Sequence, residues 1–249
     1  MAKRAGVIGG GSWGTALAKV LCANHDEVVI WARDPAVAQA ITHEHRNPKY
    51  QREIELPANL VGTSDLKAAV QDVELVCVVV PSHAMRAVMG HVAFDLAPGV
   101  PIVSASKGIE NDSLATMEDV LTDVLPRHLW ADLAFLSGPS FARETLLEMA
   151  TAVTVAARFH GVAEQVQRAF STDWFRCYTT EDVTGVELGG ALKNVVAIAA
   201  GVADGMGLGH NSRAALITRG IAEISRLAVQ RGANAQTLAG LAGMGDLVL

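Results

Sequence analysis

The chain has 249 residues, 50% of them hydrophobic and 18% charged, with a formal net charge of −6. That is enough apolar material for a sizeable core in one or two domains, which excludes wholesale disorder. The acidic balance gives no electrostatic support to a general nucleic-acid or membrane-surface role.

The N-terminus, "MAKRAGVIGGG", is basic but reaches glycine too soon for a secretory signal. Ala5–Ile8 reads as a first strand. The segment "GVIGGGSWGTALAKVL" then sets Gly9, Gly11 and Gly14 in G-x-G-x-x-G spacing, after that strand and before a helix over Trp13–Asn24. In this setting Gly9 permits a tight turn, Gly11 lets backbone approach a pyrophosphate, and Gly14 lets helix and strand pack closely. The helix N-terminus offers free N–H groups and a positive dipole end to the anion. The bland reading is a turn that binds nothing.

A second strand, Glu27–Ala32, leads into "WARDP". NAD-reading sites usually place Asp or Glu at this tip. Here Arg33 stands at the tip and Asp34 follows. A guanidinium pairs with a 2′-phosphate through its planar fork, which favours NADP(H) and leaves NAD(H) usable. The alternative is a solvated arginine with Asp34 on the ribose. His43 and His45 flank Glu44 in a polar segment that reads as surface, and the eight histidines show no metal-ligand spacing.

Leu75–Val80 is apolar without alternation, as a central strand covered on both faces should be. The run "VELVCVVVP" is strand length, and no apolar run reads as long enough to span a bilayer. Pro81 and Ser82 follow, at the carboxyl edge where such sheets bind ligands; His83 is either an acid–base group or loop polarity. Pro101–Ala105 is a fourth strand, and "SASKGIE" puts Lys107 just past it, either on a phosphate or carbonyl ligand or at the surface. A helix covers Ser113–Leu125. Leu133–Leu136 is a fifth strand, and "LSGPSFARE" puts Gly138 and Ser140 in the turn beyond, suited to an anion or, for Ser140, to a helix cap. Ala152–Ala156 is a sixth. Strands alternating with helices predict an α/β fold over residues 1–180, with a parallel, doubly wound sheet of Rossmann type.

After Thr180 the pattern is helix only, which predicts an all-helical C-terminal domain over 181–249. Val183–Ala200 is one helix, expected to be buried on most sides. "DGMGLGHN" reads as a loop, Ser212 as the N-cap of a helix to Arg231, and Gly232 as its stop. A short helix near Ala235–Ala242 leads to "GMGD". In "LGGALKNVVAIAAG", Lys193 is the only charge. Its helical neighbours are Gly189 and Gly190 on one side, Val196 and Ala197 on the other. Small residues leave room for a ligand or another backbone, and apolar ones keep water out and favour the neutral amine. Such a lysine can give a proton to an alkoxide as hydride arrives, or take one as hydride leaves. Asn194 could orient a hydroxyl. Asp246 is a candidate partner that would keep Lys193 charged. The other reading is a lysine snorkelling at a domain seam. The three cysteines, Cys22, Cys77 and Cys177, read as free thiols of a reducing compartment, so the cytoplasm follows by elimination.

Taken together, "GGGSWGTALA", "WARDP", "VVPSH", "SKGIE", "LSGPSFARE", "GALKNVVAIAAGVADG", "AALITRGIAEISRL" and "GLAGMGDLV" resemble the bacterial type of the NAD(P)-dependent glycerol-3-phosphate dehydrogenase family. The resemblance covers nearly the whole chain. It implies that Lys193 is the acid–base lysine and that Lys107, Gly138, Ser140 and Asp246 contact substrate. It implies a cofactor site lined by Ser12, Trp13, Arg33, Tyr50, Lys107 and Ala142. The implied reaction reduces dihydroxyacetone phosphate to sn-glycerol 3-phosphate for phospholipid synthesis, in a cytoplasmic homodimer. Members continue past the equivalent of "GDLVL" into a Ser-Arg-Asn segment and further helices, so the helical domain is expected to be incomplete here. Two further readings stand beside this one: a reductase of ketopantoate or β-hydroxyacid type, and a nucleotide-binding chain without turnover.

Overall fold

Among the described residues eight short segments, most of them apolar, form strands: β1 (Arg4–Ile8), β2 (Glu27–Trp31), β3 (Leu60–Thr63), β4 (Leu75–Val78), β5 (Ile102–Ser104), β6 (Leu133–Ser137), β7 (Thr151–Ala156) and β8 (Phe175–Thr180). In this computed structural model, which describes residues 3–248, they make one sheet in the order β3-β2-β1-β4-β5-β6-β7-β8. The first six strands, all parallel, stand in the 3-2-1-4-5-6 order of dinucleotide-binding sheets. Chain direction across the sheet reverses between β1 and β4, so their carboxyl ends frame the crevice where ligands bind.

All four residues of β4 are buried, as a strand with helices on both faces requires. One face carries α1 (Ser12–Cys22), α5 (Ala142–Leu146) and α6 (His160–Phe170), whose Leu17, Leu21, Leu146 and Phe170 enter one core with Ile30 and Phe175. The other face carries α3 (Ser82–Val92) and α4 (Met117–Val124), whose Met85, Met89, Val120 and Leu121 pack with Val76, Val78 and Ile102. Fully burying each such side chain contributes roughly 1.5–3 kcal/mol. The second helix, α2 (Pro35–His43), starts on an Asp34 cap whose carboxylate accepts from the Ala36 amide.

Three expectations about the sheet change. It is mixed, because β7 runs antiparallel to β6. The connection from β6 carries only the five-residue α5, which rises about 8 Å, and the chain re-enters the sheet from the carboxyl edge. Strand β3 was hidden by its length and its Gly62. Strand β8, "FRCYTT", is an additional edge strand that alternates buried and exposed residues over its first four positions.

The chain after Thr180 is helical: α7 (Val183–Gly205), α8 (Gly209–Gln230), α9 (Ala235–Ala239) and a π-helical turn over Leu241–Gly245. The predicted loop "DGMGLGHN" is mostly helix, with a sharp bend at Gly207 and Gly209, both at positive φ. Ser212 therefore lies inside α8 and caps nothing, whereas Gly232 follows α8 at φ 89° as a stop. The expectation of a helix buried on most sides is corrected too. The first half of α7 is packed, but Val195, Ile198 and Val202 are 68%, 69% and 55% exposed. By length and composition α7 could cross a membrane, contrary to the reading that no segment could; its buried half packs against the sheet and the π-helical turn.

Candidate active site

The turn after β1 is shaped by what its glycines must avoid. Gly9 sits at φ 131°, and a Cβ on Gly14 would lie 1.9 Å from the Gly9 carbonyl oxygen. Gly11 is different. Its backbone is extended (φ −78°, ψ −179°), which any residue adopts, and nothing lies within 4 Å of where its Cβ would be. A side chain there would project into a groove. Gly11 is the N-cap of α1 and offers no side-chain acceptor, so the first amides of α1 face that space unpaired by a cap. Backbone donors, a helix dipole and a side-chain-free cradle fit a pyrophosphate.

The groove runs over the switch point in two connected parts. One, of about 330 Å³, is lined by Gly9, Gly10, Gly11, Arg33, Asp34, Lys49, Tyr50, Pro81 and His83 among others. The other, of about 410 Å³, shares Gly11, Val79, Val80 and Pro81 and continues past Ser12, Trp13 and Gly14 to Lys107 and Ser140. Among the described residues no carboxylate pairs with the exposed Arg33. Asp34 has its carboxylate on Lys49 Nζ (2.6 Å) and on the Ala36 amide (3.0 Å), which hold it below its usual range.

At the far end two lysines meet one carboxylate. Lys193 Nζ donates to Asp246 Oδ1 at 2.5 Å and to the Asp246 carbonyl at 3.1 Å; Lys107 Nζ donates to Asp246 Oδ2 and, at 3.4 Å, to the Gly138 carbonyl. The Asp246 side chain is 2% exposed, those of Lys193 and Lys107 17% and 26%. Burial lowers the pKa of Lys107; Asp246 opposes that shift and Lys193 adds to it. Two ammonium groups against one carboxylate leave a net positive charge at the carboxyl edge of the sheet, suited to an anionic or carbonyl oxygen. The small residues before Lys193 admit backbone and side chains of the protein itself. A Cβ on Gly189 would approach the Ala242 carbonyl, and one on Gly190 would meet Ser137 Oγ and the Lys107 stem.

Most of the residues singled out in the sequence thus gather along one groove. Gly9, Gly11, Ser12, Trp13, Gly14, Arg33, Tyr50, Lys107 and Ser140 line it, and Lys193, Asp246 and Gly138 close its end. Ser140 caps no helix; its hydroxyl donates to the Gly138 carbonyl, and α5 begins after Phe141. Ala142 lines neither part and packs instead against the core. Asn194 and Ala197 are exposed, so Val196 alone of the expected apolar pair is buried. Three residues were missed: Asn47 and Lys49, whose roles depend on distant contacts, and Glu187, whose Oε2 is buried without a partner.

A glycine turn feeding a helix N-terminus at the switch point of a 3-2-1-4-5-6 sheet, followed by helices that bring a lysine to the groove, defines a nicotinamide-dinucleotide oxidoreductase with a helical second domain. The family follows from sequence. Models for the N-terminus and the C-terminus of NAD-dependent glycerol-3-phosphate dehydrogenase match residues 4–163 and 182–249, and the chain belongs to that family. It is 54% identical over 246 residues to glycerol-3-phosphate dehydrogenase [NAD(P)+] of Myxococcus xanthus, covering 99% of this chain and 73% of that protein. It is 52% identical over 249 residues to the protein so named in Citrifermentans bemidjiense, covering 100% and 74%. The crystal structure of glycerol-3-phosphate dehydrogenase from Coxiella burnetii superposes with a TM-score of 0.92 at 36% identity, covering 100% of this chain and 75% of that one.

Proposed function

We propose that this protein transfers hydride between NAD(P)H and dihydroxyacetone phosphate, forming sn-glycerol 3-phosphate, and runs the reverse reaction. The observation that carries the reading is the Lys193–Asp246–Lys107 cluster at the end of a dinucleotide groove. A bound nicotinamide dinucleotide supplies the hydride. The residues of the chain bind, orient and move the proton. Gly11 and the first amides of α1 hold the pyrophosphate, with Ser12 and Trp13 beside it, and Tyr50 and Arg33 take the adenosine end. Lys107, Gly138 and Ser140 hold the substrate. Lys193 holds a proton at Nζ and gives it to the C2 oxygen as that oxygen becomes an alkoxide; in oxidation Nζ takes it back. Asp246 fixes both ammonium groups.

The reading extends to cofactor choice, partners and place. Arg33 favours NADP(H) over NAD(H) through a charge-assisted fork on the 2′-phosphate. Residues 1–180 bind the dinucleotide and 181–249 belong to the substrate domain. A homodimer belongs to the same reading. Free Cys22 and Cys177, their thiols pushed up to about 12 by burial, suit a reducing cytoplasm, where the product would feed phospholipid synthesis. The test is steady-state oxidation of NADPH and NADH with dihydroxyacetone phosphate beside a panel of 2-keto acids, in the unmutated chain and in Arg33→Ala. Turnover confined to dihydroxyacetone phosphate, and an NADPH preference erased by Arg33→Ala, are expected. Turnover with 2-keto acids alone would return the ketopantoate-type reading, and tight NADPH binding without turnover the non-enzymatic one.

A further inference from the structure

The loop between α2 and β3 is tied to the glycine turn by one buried side chain. Asn47 is 1% exposed. Its Nδ2 donates to the Gly10 carbonyl at 3.0 Å and to Thr15 Oγ1 at 2.8 Å. Its Oδ1 accepts from the amides of Lys49 at 3.1 Å and Tyr50 at 3.2 Å. Both donors and both acceptor positions of the amide are used, so its burial leaves nothing unsatisfied. One end grips the phosphate-binding turn and α1; the other grips a loop that would otherwise be free to move.

The grip matters for what the loop carries. Lys49 and Arg33 line the same part of the groove. We propose that Lys49 is a second reader of the cofactor's 2′-phosphate, held at Arg33's end of the groove by the amide of Asn47; this rests on the NADP(H) reading above.

Asp34 makes the arrangement specific. It anchors Lys49 Nζ through Oδ2 while its Oδ1 caps α2, so the exposed ammonium is held at the rim of the groove. An ammonium has three donors. One can stay on Asp34 while the others reach a phosphomonoester, whose oxygens are strong acceptors and whose charge at neutral pH exceeds that of a single carboxylate. Arg33 brings its planar fork to the same group. With NADH the 2′-position is a hydroxyl, and the Asp34 carboxylate can accept from it. The trio Arg33, Asp34 and Lys49 thereby serves both cofactors and prefers the phosphorylated one.

The experiment is titration of NADPH and NADH, followed by nucleotide fluorescence, into the unmutated chain, Lys49→Met, Lys49→Arg, Arg33→Ala and Asn47→Ala. Lys49→Met should lower the ratio of NADPH to NADH affinity about tenfold, while Lys49→Arg should keep most of it. Asn47→Ala should lower the ratio as far, and adding Lys49→Met to it should change the ratio little. A ratio unmoved by Lys49→Met but lost in Arg33→Ala overturns this inference and leaves the NADP(H) reading standing. A ratio near one in the unmutated chain, indifferent to Arg33→Ala, overturns that reading and this inference with it. Lys49 is exposed, so its variants decide the matter even if Asn47→Ala does not fold.

Discussion

Lys193 and Lys107 are held to the two oxygens of a single carboxylate, Asp246 Oδ1 and Oδ2 respectively. The pairing sets two ammonium groups side by side in a place with little water, which neither would occupy without the acid between them. If Lys193 moves the proton, Lys193→Met should lower kcat by roughly 10²–10⁴ while NADPH affinity hardly moves. Near-normal turnover in that variant would make Lys193 a structural lysine.

Asp246→Asn removes the charge that both lysines share. The fold should lose about 1–3 kcal/mol, the cost of leaving buried polar groups poorly paired. Turnover should fall further than in Lys107→Met, because Lys193 also loses its anchor. Denaturant melts and steady-state rates on the two variants check this. An Asp246→Asn protein that kept both its midpoint and its kcat would show that the carboxylate positions nothing.

Gly11 and Gly14 separate ligand binding from packing. A Cβ on Gly14 meets the Gly9 carbonyl at 1.9 Å, so Gly14→Ala must push α1 off β1 and should destabilise the fold by about 1–3 kcal/mol. A Cβ on Gly11 meets nothing within 4 Å and strains no dihedral. Gly11→Val should therefore cost the fold no more than the roughly 1 kcal/mol of a poorer N-cap residue, and yet bind NADPH at least tenfold more weakly. Unchanged NADPH affinity in Gly11→Val would place the pyrophosphate elsewhere.

Glu187 gives the stability a pH dependence of defined sign. Burial, with Glu118 and Asp119 nearby, raises its carboxyl from 4.5 to about 8, although the Glu118 amide donates to Oε1 at 3.0 Å. Between those values the folded chain holds a proton that the unfolded chain has released, so this group lowers stability as pH rises from about 4.5 to about 8. Glu187→Gln removes that slope. Melting temperatures from pH 5 to 9 should show the variant gaining on the unmutated chain as pH rises; parallel curves would mean that Glu187 is ionised throughout.

Much of this was legible in the sequence because its causes are local. The glycine spacing after β1, the unbroken apolar run of β4 and the polar residues just beyond β4, β5 and β6 each follow from a strand's own pattern and its carboxyl end. The lone charge in "LGGALKNVVAIAAG" marked Lys193, and the nearby "GMGD" offered its partner. What stayed hidden depends on contacts between distant segments. Asn47 reads as loop polarity until Gly10 and Thr15 are seen beneath it. Asn194 stands beside Lys193 in sequence, but one residue turns it roughly 100° around α7, and it is exposed. The reversal at β7 could not be read from β7 itself, whose composition suits either direction.

That reversal fixes where Lys193 stands. Because β7 and β8 run against β6, Thr180 leaves the sheet level with Ala156 and Phe135, below the carboxyl edge. Helix α7 must then climb. Gly190 passes Ser137 at the top of β6, and Lys193 emerges just above it. Ten residues of helix from Val183 to Lys193 rise about 15 Å. The number of residues between Val183 and Lys193 thus sets both the height and the direction of the ammonium. Inserting one residue between Val183 and Lys193 would lift the ammonium only about 1.5 Å, yet swing it roughly 100° away from Asp246 and Lys107. Inserting or deleting single residues in this half of α7 should therefore abolish turnover where substitutions at its exposed positions do not.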